Sequence, residues 1–346
     1  MGNWLNASLG EVEMNGLDRV RQWFDSGRLV RPSADIKNIS DLIRALASLA
    51  GMEGMRKGPG LEELRLEIGP ADHYVFILID ALGVDLVESL EQTAFLRANM
   101  HSRLQSLFPS TTASVLTTLA TGVWPCSHGV TGWFMYLDEQ DISVISLPFV
   151  ERHTKRSLLE FGLSPEDLFP VPSFWPFLRY VSNMVLPAEI ADSVYSRYFS
   201  GETQRFGYKD LMDAVGAVKE LILKNSRPSL TYLYLPHLDN LAHSKGKDHE
   251  ETRQTLQLLS KHLGGLAESL AGRARIVISA DHGVVDVPEE QRFVLSGDDF
   301  LNELLRCPPT GEPVVPIFHV HSGHEKAFTE EFNERFGDHF ALLSPE

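Results

Sequence analysis

Three stretches of the chain are apolar almost without a break, and each leads to an acid. Tyr74-Val-Phe-Ile-Leu-Ile-Asp80 has no polar position before its carboxylate. A run of this kind, rich in β-formers, fits a strand buried on both faces of a parallel sheet. Ser229-Leu-Thr-Tyr-Leu-Tyr-Leu235 runs into Pro236-His-Leu-Asp239, and Arg275-Ile-Val-Ile-Ser-Ala-Asp281 ends on its acid directly. Leu104 to Phe108 and Ser143 to Leu147 read as shorter strands. Between these runs the hydrophobic period changes to that of a helix. Leu17, Val20, Trp23 and Phe24 share a helical face, as do Ile39, Leu42, Ile43, Leu46 and Leu49, with Asn38 or Ser40 as cap. Lys209 to Lys224 and the long, charge-rich Asp248 to Ala271 repeat the helical pattern. Strand-type and helix-type segments in alternation predict an α/β fold, a mostly parallel central sheet flanked by helices.

The rhythm divides the chain into four parts. Residues 1–70 form an N-terminal helical lead, with a Gly-, Lys- and Pro-containing linker from Gly51 to Gly60. Residues 71–148 are the first part of an α/β core. Residues 149–207 are dense in aromatics and prolines, among them Phe169, Trp175, Tyr195, Phe199, Pro170 and Pro176, and read as an insertion or cap, or as a small satellite core. Residues 208–346 are the second part of the core.

Composition narrows the function. The chain has 346 residues, 43% hydrophobic, as a globular protein does, and a net charge of −16. That balance excludes wrapping of nucleic acid, which requires a basic footprint, but not a small phosphorylated substrate, because a metal reverses the local field. Cys126 and Cys307 lack the spacing of a thiolate zinc site or a disulfide framework. No stretch approaches the length of a membrane span. Residues 1–8 lack the basic head and apolar run of a signal peptide, so a soluble, cytoplasmic protein is expected. Composition leaves the oligomeric state open.

The chemistry lies where the strands end. In a parallel sheet the carboxyl ends share one edge, where α/β proteins place their sites. Asp80, Asp239 and Asp281 fall there, two of them with histidines: His243, four residues from Asp239 and on the same helical face, and His282, next to Asp281. Asp80 could instead cap a helix over Val84 to Leu90. A fourth junction is Phe108-Pro-Ser-Thr-Thr112, which opens a buried helix that stops at Gly122. Ser110, Thr111 and Thr112 are all N-cap types, and a helix N-terminus favours an anion. His128, in a turn-rich loop, reads as a structural hydrogen-bonded residue, with substrate contact as the other reading. Asp and His ligands around a hydroxyl suit two divalent metal ions, zinc with manganese open, of which one activates the hydroxyl as a nucleophile.

These pieces resemble the alkaline phosphatase superfamily, in its type I phosphodiesterase/nucleotide pyrophosphatase branch. The matching residues are the strand ending in Asp80, Phe108-Pro-Ser-Thr-Thr112, Thr121-Gly122, Trp124-Pro-Cys-Ser-His128-Gly, Leu238-Asp239 with His243, and Ser279-Ala-Asp281-His282-Gly283, in the family's order. The resemblance implies an alkaline-phosphatase-like fold. It also implies hydrolysis of phosphodiester or pyrophosphate bonds in a small phosphorylated substrate, through a covalent threonine intermediate. Thr112 matches the nucleophile. Asp80, Asp281 and His282, with Thr112, match one metal site, and Asp239 and His243 match the other. The alternatives are a phosphomonoesterase or phosphonate hydrolase on the same centre, or a non-catalytic metal-binding relative.

Two positions depart from the family pattern. Nucleotide-cleaving members carry an Asn three residues after the nucleophile, where this chain has Val115. The final His-Gly segment of the family has no counterpart, because His319, His321 and His324 lack its context. A catalytic zinc ordinarily has three protein ligands, and Asp239 with His243 supplies two. The expectation is a C-terminally incomplete copy of the domain, with the Asp239/His243 site weaker than the other unless one of the three histidines fills it.

Overall fold

In the computed structural model, residues 16–344 are described; the expectations for residues 1–8 and for the last residues, Pro345 and Glu346, lie outside them. Two compact units are present. The larger comprises residues 32–293 and 309–317 and contains both sheets.

The main sheet has five parallel strands. In chain order the ten strands of this unit are β1 (His73–Ile79), β2 (Phe134–Leu137), β3 (Ile142–Ile145), β4 (Val150–Glu151), β5 (Val181–Pro187), β6 (Gln204–Tyr208), β7 (Ser229–Leu235), β8 (Arg275–Ser279), β9 (Thr310–Glu312) and β10 (Val315–Ile317). The main sheet runs β6-β5-β7-β1-β8, and every pairing in it is parallel. Every residue of β1 and β7 is buried, as their unbroken apolar runs require. Alternate side chains of β1 serve the two faces. Tyr74, Phe76 and Leu78 pack with the helices Ile39–Leu49, Pro59–Ile68 and Thr112–Thr121. Val75, Ile77 and Ile79 pack with the helices Leu211–Lys224 and Glu250–Ser269. Asn38 caps the first of these helices, accepting from Asp41 N (3.0 Å).

Residues 149–207 supply two of the five parallel strands, β5 and β6. Their aromatics continue the main core: Trp175 and Phe199 stand 5.8 and 5.3 Å from the Tyr232 ring, centroid to centroid. Trp175 Nε1 donates to Leu119 O (2.9 Å), tying this cluster to the helix Thr112–Thr121. Residues 104–108 do not form the expected strand. Gln105 makes one isolated bridge to Asn38, which turns straight into the helix Ile39–Leu49, so the pairing extends no further.

The second sheet, β10-β9-β2-β3-β4, is antiparallel. The smaller unit comprises residues 16–31, 294–308 and 318–344. Its core gathers Leu301, Leu304, Leu305, Phe328, Phe332 and Phe336, and Arg335 clamps Asp299 through two 2.7 Å bonds. Among the described residues no helix is long and apolar enough to cross a membrane.

Candidate active site

Three adjacent strands bring three acids to one edge. β1 is flanked by β7 and β8 in register, Ile79 opposite Leu235 and Leu78 opposite Ser279. Adjacent strands lie about 4.8 Å apart. The segments carrying Asp239, Asp80 and Asp281 therefore leave the sheet side by side. Asp80 N continues the ladder by donating to Leu235 O (3.0 Å). Asp80 is not a helix cap, because the helix Val84–Ser89 starts from Gly83 without a side-chain cap.

Two glycines let the outer turns meet. A Cβ on Gly83 would lie 2.8 Å from Gly283 Cα, closer than real Cβ contacts allow. Gly283 is thus required for close approach, not for a positive φ. Gly83→Ala should push the two turns apart at a cost of about 1–3 kcal/mol. Urea unfolding of the metal-free protein checks this, and an unchanged midpoint would mean that the turns relax freely. Between these turns Ala81 adopts a left-handed φ of 65°, rare for a residue with a Cβ, and its N–H donates to Asp281 Oδ1 (3.1 Å).

The resulting cluster is buried and short of positive charge. One ligand atom each from Asp80, Asp281 and His282 lie within 4.8 Å of one another. Asp281 Oδ1 also accepts from His282 N (2.9 Å), and Asp80 Oδ2 accepts from the Tyr234 hydroxyl. The other oxygens, Asp80 Oδ1 and Asp281 Oδ2, are buried without a hydrogen-bond partner. They stand 3.5 and 3.7 Å from His282 Nε2. Unpaired buried carboxylate oxygens carry a large desolvation cost. Burial, with the charges of Asp281 and Asp239, holds the Asp80 carboxyl well above the usual carboxylate range.

His282 is oriented for ligation. Its Nδ1 lies 3.0 Å from Gly283 O, which can only accept, so Nδ1 carries a proton and Nε2 is the nitrogen turned to the cluster. Thr112 Oγ1 and Nε2 are hydrogen-bonded at 3.1 Å. The donor set, two carboxylates and an imidazole beside a hydroxyl, fits a divalent cation of the zinc or manganese type.

Asp239 and His243 form a separate pair. They sit one turn apart on the helix His237–Lys245, with Oδ1 and Nε2 3.5 Å apart. Asp239 Oδ1 is also buried without a hydrogen-bond partner. Burial raises the Asp239 carboxyl above its ordinary value, against the nearby imidazoles of His243 and His282. His319, His321 and His324 belong to the smaller unit.

Thr112 opens the helix Thr112–Thr121, which ends as its sequence predicts in a left-handed Gly122 (φ 72°). His128 is structural: Val130 N donates to its Nδ1 and its Nε2 bonds Thr118 Oγ1, each at 3.1 Å. Burial lowers its pKa to about 4, so the ring is neutral near pH 7.

A family model described as type I phosphodiesterase / nucleotide pyrophosphatase matches residues 74–339, a span that contains every residue of the cluster. The chain belongs to this family. It is therefore a phosphodiesterase/nucleotide pyrophosphatase-type hydrolase of the alkaline phosphatase superfamily, a family whose members depend on metal. Murine ectonucleotide pyrophosphatase/phosphodiesterase 5 shares its fold, with a TM-score of 0.56 at 15% identity over 74% of this chain and 68% of that one. The human counterpart gives 0.56 at 17% identity, over 75% and 69%. An inactive threonine-to-alanine variant of the murine protein, in complex with AMP, gives 0.55 at 16% identity, over 79% and 70%. No curated protein matches the sequence.

Two residues of the phosphodiesterase site carry no sequence motif. Tyr234 had a readable signal, since a hydroxyl in a fully buried strand ordinarily finds a partner, and here it is Asp80. Glu312 had none. It reaches Thr111 because β9 pairs with β2, Phe134 opposite Gly311, far apart in the chain. Val115 is wholly buried in the main core, so the position offers the site nothing polar.

Proposed function

We propose that this phosphodiesterase cleaves phosphodiester or pyrophosphate bonds in a small phosphorylated substrate by way of a covalent Thr112 intermediate at a two-metal centre. Asp80, Asp281 and His282, with Thr112, would hold one divalent cation, and Asp239 with His243 the second; zinc suits this donor set best. The observation that carries the reading is the convergence of two unpaired buried carboxylate oxygens and an imidazole nitrogen beside one threonine hydroxyl. The cations supply charge that lowers the hydroxyl pKa and neutralises the phosphate.

The protein's own residues do the rest. Thr112 Oγ1 forms the bond to phosphorus while the bond to the leaving oxygen breaks on the opposite side. Water then cleaves the phosphothreonine ester and restores the hydroxyl. With Val115 apolar, a non-bridging oxygen is left to the backbone N–H groups at the start of the helix Thr112–Thr121. The AMP complex of the murine relative makes a nucleotide ester a natural first substrate to try. The test is turnover of an aryl phosphodiester against an aryl phosphomonoester, each with and without chelator. Chelator-sensitive preference for the diester is expected. Preference for the monoester would favour the phosphatase alternative, and chelator-resistant turnover would contradict the metal centre.

A further inference from the structure

Thr111 is an N-cap residue whose side chain does not cap. Its backbone is extended, as an N-cap requires (φ −137°, ψ 148°), and the first helical bond runs from Val115 N–H to its carbonyl (3.0 Å). A threonine in this position ordinarily accepts a hydrogen bond from a backbone N–H in the first turn. Here no side chain makes that bond. The hydroxyl donates to Glu312 Oε1 instead, and the same oxygen accepts Trp133 N–H (2.7 Å).

The carboxylate is held there by backbone. Glu312 ends β9, which pairs antiparallel with β2 and with β10. Gly132 and Gly311 touch so closely that a Cβ on Gly132 would lie 2.7 Å from the Gly311 carbonyl. The N–H groups of Thr112, Ala113 and Ser114 precede the helical ladder. They belong to the same turn as the Thr112 hydroxyl, which lies 3.1 Å from His282 Nε2.

We propose that Glu312 is a positioning residue that keeps this helix end open for a phosphate, by engaging the Thr111 hydroxyl that would otherwise cap it. The proposal rests on the reading of Thr112 as the nucleophile. Without the carboxylate, the hydroxyl turns to its ordinary N-cap partner and competes with the anion for the same N–H groups.

The test compares the parent chain with Glu312→Ala, Glu312→Gln, Thr111→Val and the Glu312→Ala/Thr111→Val double variant. Two readouts are taken: binding of inorganic phosphate to the metal-loaded protein by calorimetry, and amide hydrogen exchange at Ala113 and Ser114 in the metal-free protein. Glu312→Ala should weaken phosphate binding about tenfold, the worth of one cap, and slow exchange at those amides. Glu312→Gln still accepts from both donors and should restore binding. The double variant has no hydroxyl left to cap, and should regain most of the affinity together with fast exchange. A double variant as weak as Glu312→Ala, or exchange unchanged in Glu312→Ala, overturns the proposal. A parent chain that binds no phosphate counts against the Thr112 reading instead, and the exchange pattern still decides what Glu312 does.

Discussion

Thr112→Ala should lose at least about a thousandfold in turnover while its unfolding midpoint stays close to that of the parent chain. The asymmetry follows from where the hydroxyl points. Thr112 Oγ1 bonds His282 Nε2 and faces the acidic cluster, while the core side of its helix is held by Ala113, Val115, Leu116 and Leu119. The substitution removes the nucleophile and, with it, only the γ-methyl of a half-buried side chain. Asp80, Asp281 and His282 remain to bind metal, so metal content should fall little. Thr111→Ala should cost far less, because that hydroxyl faces Glu312. Steady-state kinetics on an aryl phosphodiester, with metal analysis of the same samples, checks both variants. Parent-like turnover by Thr112→Ala would remove the covalent mechanism.

Asp80→Asn and Asp281→Asn should each empty one metal site, and Asp239→Asn the other. The rate should fall by well over the roughly 10–100-fold that loss of a ligand's outer partner costs. A second expectation separates ligands from structural acids. In the metal-free protein the Asp80 carboxyl is pushed up by burial and by its acidic neighbours. Its charged form is thus disfavoured on folding, and the penalty grows as pH rises from the unfolded value through the folded one. Metal-free Asp80→Asn should therefore be at least as stable as the metal-free parent near neutral pH, since an amide oxygen still accepts from Tyr234. Added metal should stabilise the parent and leave the variant less affected. Urea titrations with and without zinc read this directly. A large loss of stability in metal-free Asp80→Asn would mark the residue as a structural partner of Tyr234 and not as a ligand.

Much of this site was legible because parallel strands must be apolar on both faces. β1 and β7 could be read as central from their unbroken runs, and their order put Asp80, Asp239 and Asp281 on one edge. The spacing of Asp239 and His243 fixed their shared face, which the helix His237–Lys245 realises at 3.5 Å. What stayed hidden depends on contacts remote in sequence. β5 and β6 were masked by aromatics that turn out to cover one face of the main sheet. The Leu104 to Phe108 run looked like a strand, but its one partner, Asn38, turns straight into the helix Ile39–Leu49 and leaves nothing to extend the pairing. Gly283 was visible only as the end of the Asp281-His282-Gly283 motif, since the close approach to Gly83 exists only once both turns are in place. Glu312 lies between Gly311 and Pro313 with no pattern around it, and only pairing of β9 with β2 brings it to Thr111.

The most direct test of the central claim is to trap the intermediate. The metal-loaded protein is mixed briefly with an aryl phosphodiester, quenched in acid, digested and mapped by mass spectrometry. The mechanism predicts one phosphoester adduct on the peptide containing Phe108 to Gly122, located on Thr112 by fragmentation and absent from Thr112→Ala. Turnover without any adduct, under conditions where its hydrolysis is slowed, or an adduct located on Thr111 or Ser110, would contradict it.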